Sequence, residues 1–379
     1  MAADNSPTQL LELPESCLLQ VLQCCADNLH SIFSAARVHR RLHQAAMLAV
    51  NSITAVINCQ GQASGLLVFL NTEHGQHIES INLRAPWSPG AEPTSNLWQL
   101  PTGLQLGSLE LSALAVQLQP RDGFQGVLRP GVPFKNLCLT HCTLLDGTVG
   151  LAAALLSLPG LQHLSIEADA NTDSNLLTDG AFPAGVLSSL QHLSYLKLKC
   201  QVTGKAGLEG PVMQPLEALT RLVDLRLCVW MPGEPAYVSS SMLSSLQCLT
   251  LLELTGCNLE FTSKTLACLS QLQHLQLRAC YIRGAEDGYT ELLSGLQQLS
   301  QLTTLAFIAC MIDTEETYPV AAAFSALTAS SKLRNLTIIE CMLPEGIWQH
   351  VFPTGRRLPH LTSLDISRPK DEDDSEDSS

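Results

Sequence analysis

Residues 249–282 read LTLLELTGCNLEFTSKTLACLSQLQHLQLRACYI, and one pattern is written in them twice. Leu249, Leu252 and Leu254 are followed by Cys257 and Leu259; Leu272, Leu275 and Leu277 are followed, at the same offsets, by Cys280 and Ile282. Working outward, the five positions recur as Leu302, Leu305, Phe307, Cys310 and Ile312, and again as Leu333, Leu336, Ile338, Cys341 and Leu343. Phe134, Leu137, Leu139, Cys142 and Leu144 form the fifth cysteine-bearing copy. Six more copies keep the apolar triple without the cysteine, starting at Ile78, Leu106, Leu161, Leu193, Leu222 and Leu361. Successive starts lie 23 to 32 residues apart. One triple means little in a chain that is 46% hydrophobic, but eleven in a ladder specify a repeat. Units of this length bury their apolar faces only against one another, so the chain is read as a one-dimensional stack.

The spacing L-x-x-L-x-L-x-x-N/C-x-L resembles the leucine-rich repeat of the cysteine-containing type. The resemblance implies an α/β solenoid of about 11 repeats, with parallel strands on a concave face and a mostly helical convex side. Within each strand the side chains alternate, so the triple points inward and the residues between face the concave surface. The ladder's 33 inward positions, at ~1.5–3 kcal/mol per fully buried side chain, make a continuous core. The return over residues 291–299 has helical spacing, whereas the Pro- and Gly-rich returns at 204–215 and 231–235 are expected to be loops. Residues 1–9 read as a polar leader, 10–48 as a separate helical unit and 49–77 as a cap or linker. The solenoid is expected over 78–368, with a disordered acidic tail at 369–379. Nothing resembling a cap follows Ile366.

The net charge of −14 includes six carboxylates in that tail, and the absence of basic blocks argues against nucleic acid as a partner. Fourteen cysteines in a chain without a basic, then apolar, N-terminal run read as reduced thiols of an intracellular protein. No apolar stretch approaches the ~18–20 residues that span a bilayer, so no membrane is expected. There is no C-x-x-C, G-x-x-x-x-G-K-S/T, G-x-S-x-G or H-E-x-x-H. His163 and His274 share one repeat position and read as a duplicated feature. Asp169, Asp173 and Asp179 lack calcium-loop spacing. No catalytic residue, metal or cofactor is assigned.

The segment before the repeats has its own texture. Residues 13–22, LPESCLLQVL, follow a Leu-Pro start with apolar residues at helical spacing, and Val38-His39-Arg40-Arg41-Leu42 supplies a later anchor. Together they resemble an F-box of three short helices. The 23–30 stretch departs from the pattern, being short and carrying Cys24-Cys25. The resemblance implies docking on an SKP-type adaptor, and through it a cullin, by Leu13, Pro14, Cys17, Leu18, Val21, Leu22, Val38 and Arg41. It also implies a substrate receptor of an SCF-type ubiquitin ligase, cytoplasmic or nuclear, with the repeats holding a target protein. The other reading open at this point is a leucine-rich-repeat scaffold of the cytoskeleton or axoneme whose N-terminal helices are only a cap.

Concave positions follow from the alternation. Tyr195, Lys197, Lys199, Arg226, Glu253, His274 and Arg278 are the candidates for target binding, because four cations stand together in an otherwise acidic chain. Such a patch suits an acidic or phosphorylated segment. The positions Thr304, Ala306, Ile308, Asn335, Thr337 and Ile339 are neutral and partly apolar.

Overall fold

A computed structural model describes residues 13–24, 38–73, 75–85, 104, 106–116, 134–144, 147–167, 184–201, 214–230, 236–260, 262–283, 288–312, 321–341, 347–355 and 357–367. Each of the eleven triples opens two residues ahead of a strand: β2 (Ser80–Arg84), β3 (Ser108–Ser112), β5 (Asn136–Thr140), β7 (His163–Glu167), β8 (Tyr195–Gln201), β9 (Asp224–Trp230), β11 (Leu251–Thr255), β13 (His274–Arg278), β15 (Thr304–Ile308), β17 (Asn335–Ile339) and β18 (Ser363–Ser367). All are parallel, because every return crosses back on the same side before the next strand begins. The register keeps the inward residues in rows: Leu252 stands between Leu225 and Leu275, and Leu254 between Leu227 and Leu277. The chain therefore folds as a leucine-rich-repeat solenoid.

Among the described residues the sheet has twelve strands, one more than the eleven expected. β1 (Ser52–Val56) lies in the stretch read as a cap or linker, and it pairs Ser52 with Ser80 and Ile53 with Ile81. Val50, Ile53 and Ala55 hold the offsets of the apolar triple, and Asn58 holds that of the cysteine. Alanine at the third position disguised the copy. Leu66, Leu67, Phe69 and Leu70, the amphipathic part of the stretch read as a cap, lie in the helix Gln60–Leu70, which is the return of this first unit, with Leu70 fully buried.

The cysteines explain how each unit turns. Cys142, Cys257, Cys280, Cys310 and Cys341 are all buried. Three of the thiols donate to carbonyls of the preceding strand, Cys142 to Leu111 at 3.2 Å, Cys280 to Leu254 at 3.4 Å and Cys310 to Leu277 at 3.3 Å, while Cys257 and Cys341 donate to Thr255 and Ile339, two residues back in their own units. The residue before each cysteine is left-handed: His141, Gly256, Ala279, Ala309 and Glu340 have φ between 48° and 69°. That bend aims its N–H at the next strand, as in Ala279 to Ile308 O at 2.8 Å and Ala309 to Ile339 O at 2.8 Å. Beyond the bend, the aliphatic residue two positions after the cysteine enters a second parallel ladder that sequence reading did not resolve. It comprises β4 (Ala115–Val116) with β6 (Thr143–Leu144), and β10 (Ala236–Val238), β12 (Cys257–Glu260), β14 (Tyr281–Arg283) and β16 (Met311–Ile312) in one row.

The return side is mixed. Gly147–Leu156, Ala184–Ser189, Ser240–Ser244, Ser263–Cys268 and Gly288–Leu296 are α-helices, while Gln214–Ala218 and Ala321–Thr328 are 3-10 helices. The loop expected at 204–215 lies outside the described residues up to 213, and its last two residues, Gln214 and Pro215, instead open a 3-10 helix; the loop expected at 231–235, the leader and the acidic tail lie outside the described residues. In the ten strands of the long sheet from β2 to β17, the two inward leucine-type residues of each triple are buried. At β18 the pattern fails: Leu364 is 50% and Ile366 37% exposed.

At the other end, α1 (Glu15–Cys24) packs on α2 (Arg40–Ala49). Pro14 precedes α1, and its carbonyl accepts from the Cys17 and Leu18 amides. Leu18 and Leu22 meet the same buried core as Leu42, Ala45 and Ala46. The expected middle helix, at residues 25–37, lies outside the described residues.

Candidate functional site

The alternating residues of β7, β8, β9 and β11 build a charged cluster at the centre of the sheet's open face. Register sets Glu167 beside Lys199, Ser165 beside Lys197, and Lys197 beside Arg226, which faces Glu253. Glu167 accepts from both lysines, at 2.9 Å from Lys197 Nζ and 2.5 Å from Lys199 Nζ. Asp224 takes the Arg226 guanidinium with two bonds of 3.0 Å, and Glu253 lies 3.5 Å from the same group. Three cations thus stand against three carboxylates. The patch read from sequence as basic is locally neutral. Glu167 was missed although the offset that places Lys199 on the open face also places Glu167 there.

His163 stacks on Tyr195, with ring centroids 3.8 Å apart and planes 4° from parallel, and Arg226 lies over the tyrosine at 5.8 Å. Burial lowers the His163 pKa, opposed by the charge of Asp224, so the ring is favoured neutral. Burial pushes the Glu167 carboxyl up, but the hydrogen bonds and charges of Lys199 and Lys197 outweigh it and leave it below its usual value. The hydrogen bond to Glu167 raises Lys197. All of these side chains are at least partly open to solvent, so the pairs fix geometry more than they add stability.

Two of the sequence candidates stand apart from this network. Arg278 is exposed, between Thr255 and Ile308 in the register, and makes no ion pair among the described residues. His274 lies beside Leu251 and Thr304. From there the face becomes neutral through Thr304, Ala306, Ile308, Thr337 and Ile339. A smaller polar knot sits near the start, where Arg84 and Asn82 both hold Glu110, Arg84 at 3.3 Å and Asn82 at 2.6 Å.

The eight N-terminal candidates divide. Leu18 and Leu22 are sealed inside the helix pair and are not available to a partner as they stand. Cys17 is half-buried, and Leu13 packs against the core. Arg41 is committed within the chain, its Nη2 donating to the Leu13 carbonyl at 2.9 Å and tying α2 to the start of α1. Pro14, Val21 and Val38 face solvent, the valines 43% and 76% exposed. Among the described residues no three His, Cys, Asp or Glu side chains converge as a metal site would require, and no helix is long and apolar enough to cross a membrane.

No family model and no curated protein sequence matches the chain. Among solved structures it is similar to a leucine-rich-repeat protein of Leptospira interrogans, at 17% identity over 87% of this chain and 75% of that one, with a TM-score of 0.48. It is also similar to the leucine-rich-repeat ectodomain of the receptor kinase GASSHO1/SCHENGEN3 of Arabidopsis thaliana, solved with CASPARIAN STRIP INTEGRITY FACTOR 2, at 16% identity over 85% and 34% of the two chains and a TM-score of 0.45. The fold assignment rests on the strand ladder itself, and likenesses of this degree add nothing about partners.

Proposed function

We propose that this chain is a protein-binding repeat scaffold that serves as the target-recognition subunit of an SCF-type ubiquitin ligase. In this reading the N-terminal helices dock on an SKP-type adaptor, and through it a cullin, while the open sheet face holds the target. The chain itself supplies no catalytic group. It raises the effective concentration of a target lysine near a conjugating enzyme carried by other subunits.

One observation carries the reading beyond sequence resemblance. Val21 on α1 and Val38, in the turn ahead of α2, have their side chains in solvent, an apolar pair that suits the surface of an adaptor. They are held in fixed relation by the Arg41 bond to Leu13 and by the buried contact of Leu18 and Leu22 with Leu42. That burial also favours the second reading, a non-catalytic scaffold of the cytoskeleton or axoneme in which the helices only close the stack. The compartment follows the function: cytoplasm or nucleus for the first, cytoskeleton for the second.

A pull-down of purified SKP-type adaptor by the full chain separates the two. A Val21→Asp/Val38→Asp variant keeps the buried contacts of the pair, so it is expected to stay folded by circular dichroism and to lose the adaptor. Failure of the folded, unsubstituted chain to retain any adaptor would leave the scaffold as the function.

A further inference from the structure

We infer that the outer edge of β18 is a docking site for an extended segment of a partner protein, laid parallel to the strand and carrying Lys or Arg between two apolar residues. Ten strands, β2 through β17 in the long sheet, bury both of their inward side chains; β18 leaves Leu364 half-open and Ile366 more than one-third open. The strand is fully formed. All five of its residues pair with β17, from Asn335–Ser363 to Ile339–Ser367, and no described strand pairs on the other side. Its unpaired main-chain groups and its apolar face are therefore open together, which is what strand addition requires.

The ladder's own register says what fits. Inward residues always face inward residues across neighbouring strands, so the positions opposite Leu364 and Ile366 call for apolar side chains. Between them Asp365 faces the open side, beside Thr337, with no ion pair among the described residues. Two carboxylates of this sheet in that situation are met directly across the strands by a cation, Glu253 by Arg226 and Glu167 by Lys199. A basic residue opposite Asp365 completes the same arrangement. Two other occupants fit poorly. The sequence after the strand, RPKDEDDSEDSS, offers no aliphatic or aromatic side chain to cover Leu364 and Ile366. A second copy paired antiparallel about the strand's midpoint would set one Asp365 carboxylate against the other.

The test uses the full chain and two fluorescein-labelled peptides, Ser-Ser-Val-Lys-Val-Ser-Ser and the same peptide with Glu for Lys, read by anisotropy. The lysine peptide is expected to bind saturably, with the glutamate peptide about threefold to tenfold weaker. Asp365→Lys should reverse that order. Leu364→Ser/Ile366→Ser should abolish both; because these side chains are already partly open, the variant should stay folded by circular dichroism and lose less of its denaturation midpoint than Leu252→Ser/Leu254→Ser. Three results would overturn the inference: no saturable binding of the lysine peptide, binding indifferent to these substitutions, or sedimentation showing a dimer that the serine variant dissolves. None of them bears on the adaptor, so the two proposals fail separately.

Discussion

Replacing Glu167 by Gln tests whether the central charged cluster is a set of working ion pairs. The substitution keeps shape and an acceptor oxygen but removes the charge that Lys197 and Lys199 share. Each pair is only partly shielded, with 34% and 42% of the lysine side chains and 15% of the glutamate exposed. Pairs of that kind are worth about 0.2–1 kcal/mol, so both together should cost about 1 kcal/mol at pH 7. The sign of the pH dependence then follows. Glu167 has a depressed pKa in the fold, so its contribution is fully present above the unfolded carboxylate value of about 4.3 and is lost as pH falls through the folded value. Lys197 is raised, so its share persists below about 10.4 and is lost as pH rises through its folded value. The gap between the parent chain and Glu167→Gln should be a plateau from about pH 5 to 10 that closes in acid. Urea denaturation followed by circular dichroism at pH 7 and pH 3 measures it. An equal gap at both values, or none at pH 7, would refute the ion-pair account and leave Glu167 a passive surface residue.

Burial grades the inward ladder: Leu254→Ala should cost about 2–5 kcal/mol, whereas Leu364→Ala should cost well under half of that, both by denaturation midpoint. Backbone proximity sorts the glycines. A methyl group at Gly295 meets Leu266 Cβ and Cδ1 at 2.7 Å, so Gly295→Ala should lose about 1–3 kcal/mol; Gly65→Ala, with open space around it in a helix, should gain about 0.5–1 kcal/mol. Burial pushes the Cys142 thiol up to about 12, so alkylation mapped by mass spectrometry at pH 8 should modify the exposed Cys59 and Cys248 well before Cys142 in the folded chain. His163 is depressed by burial, so stability should fall as pH drops from about 6.5 toward its folded value, and His163→Gln should flatten that limb.

Much of the architecture was legible because a solenoid writes the same contact many times. Every strand of the long sheet begins two residues after the first member of an apolar triple, and each of the five repeat cysteines marks a left-handed bend whose geometry a single copy does not disclose. The first strand was overlooked where Ala55 replaced a larger residue, since alanine contributes little to a hydrophobic pattern while filling the same slot. The second ladder escaped because its strands are two to four residues long, shorter than an alternation needs to be recognised. On the open face, position could be read and charge state could not. Lys197, Lys199 and Arg226 were located correctly, yet their partners Glu167 and Asp224 stand on other strands or two residues away, and pairing is a property of the assembled sheet. Among the N-terminal candidates, helical spacing alone could not tell Val21, in solvent, from Leu18 and Leu22, one turn and less away and buried.

The most direct measurement is hydrogen–deuterium exchange on the full chain with and without a saturating SKP-type adaptor. The account predicts added protection confined to peptides spanning residues 13–42, around Pro14, Val21 and Val38, with the amides of the strand ladder unchanged. No protection there, or protection confined to the open sheet face, would contradict the assignment of the helix pair as a docking module.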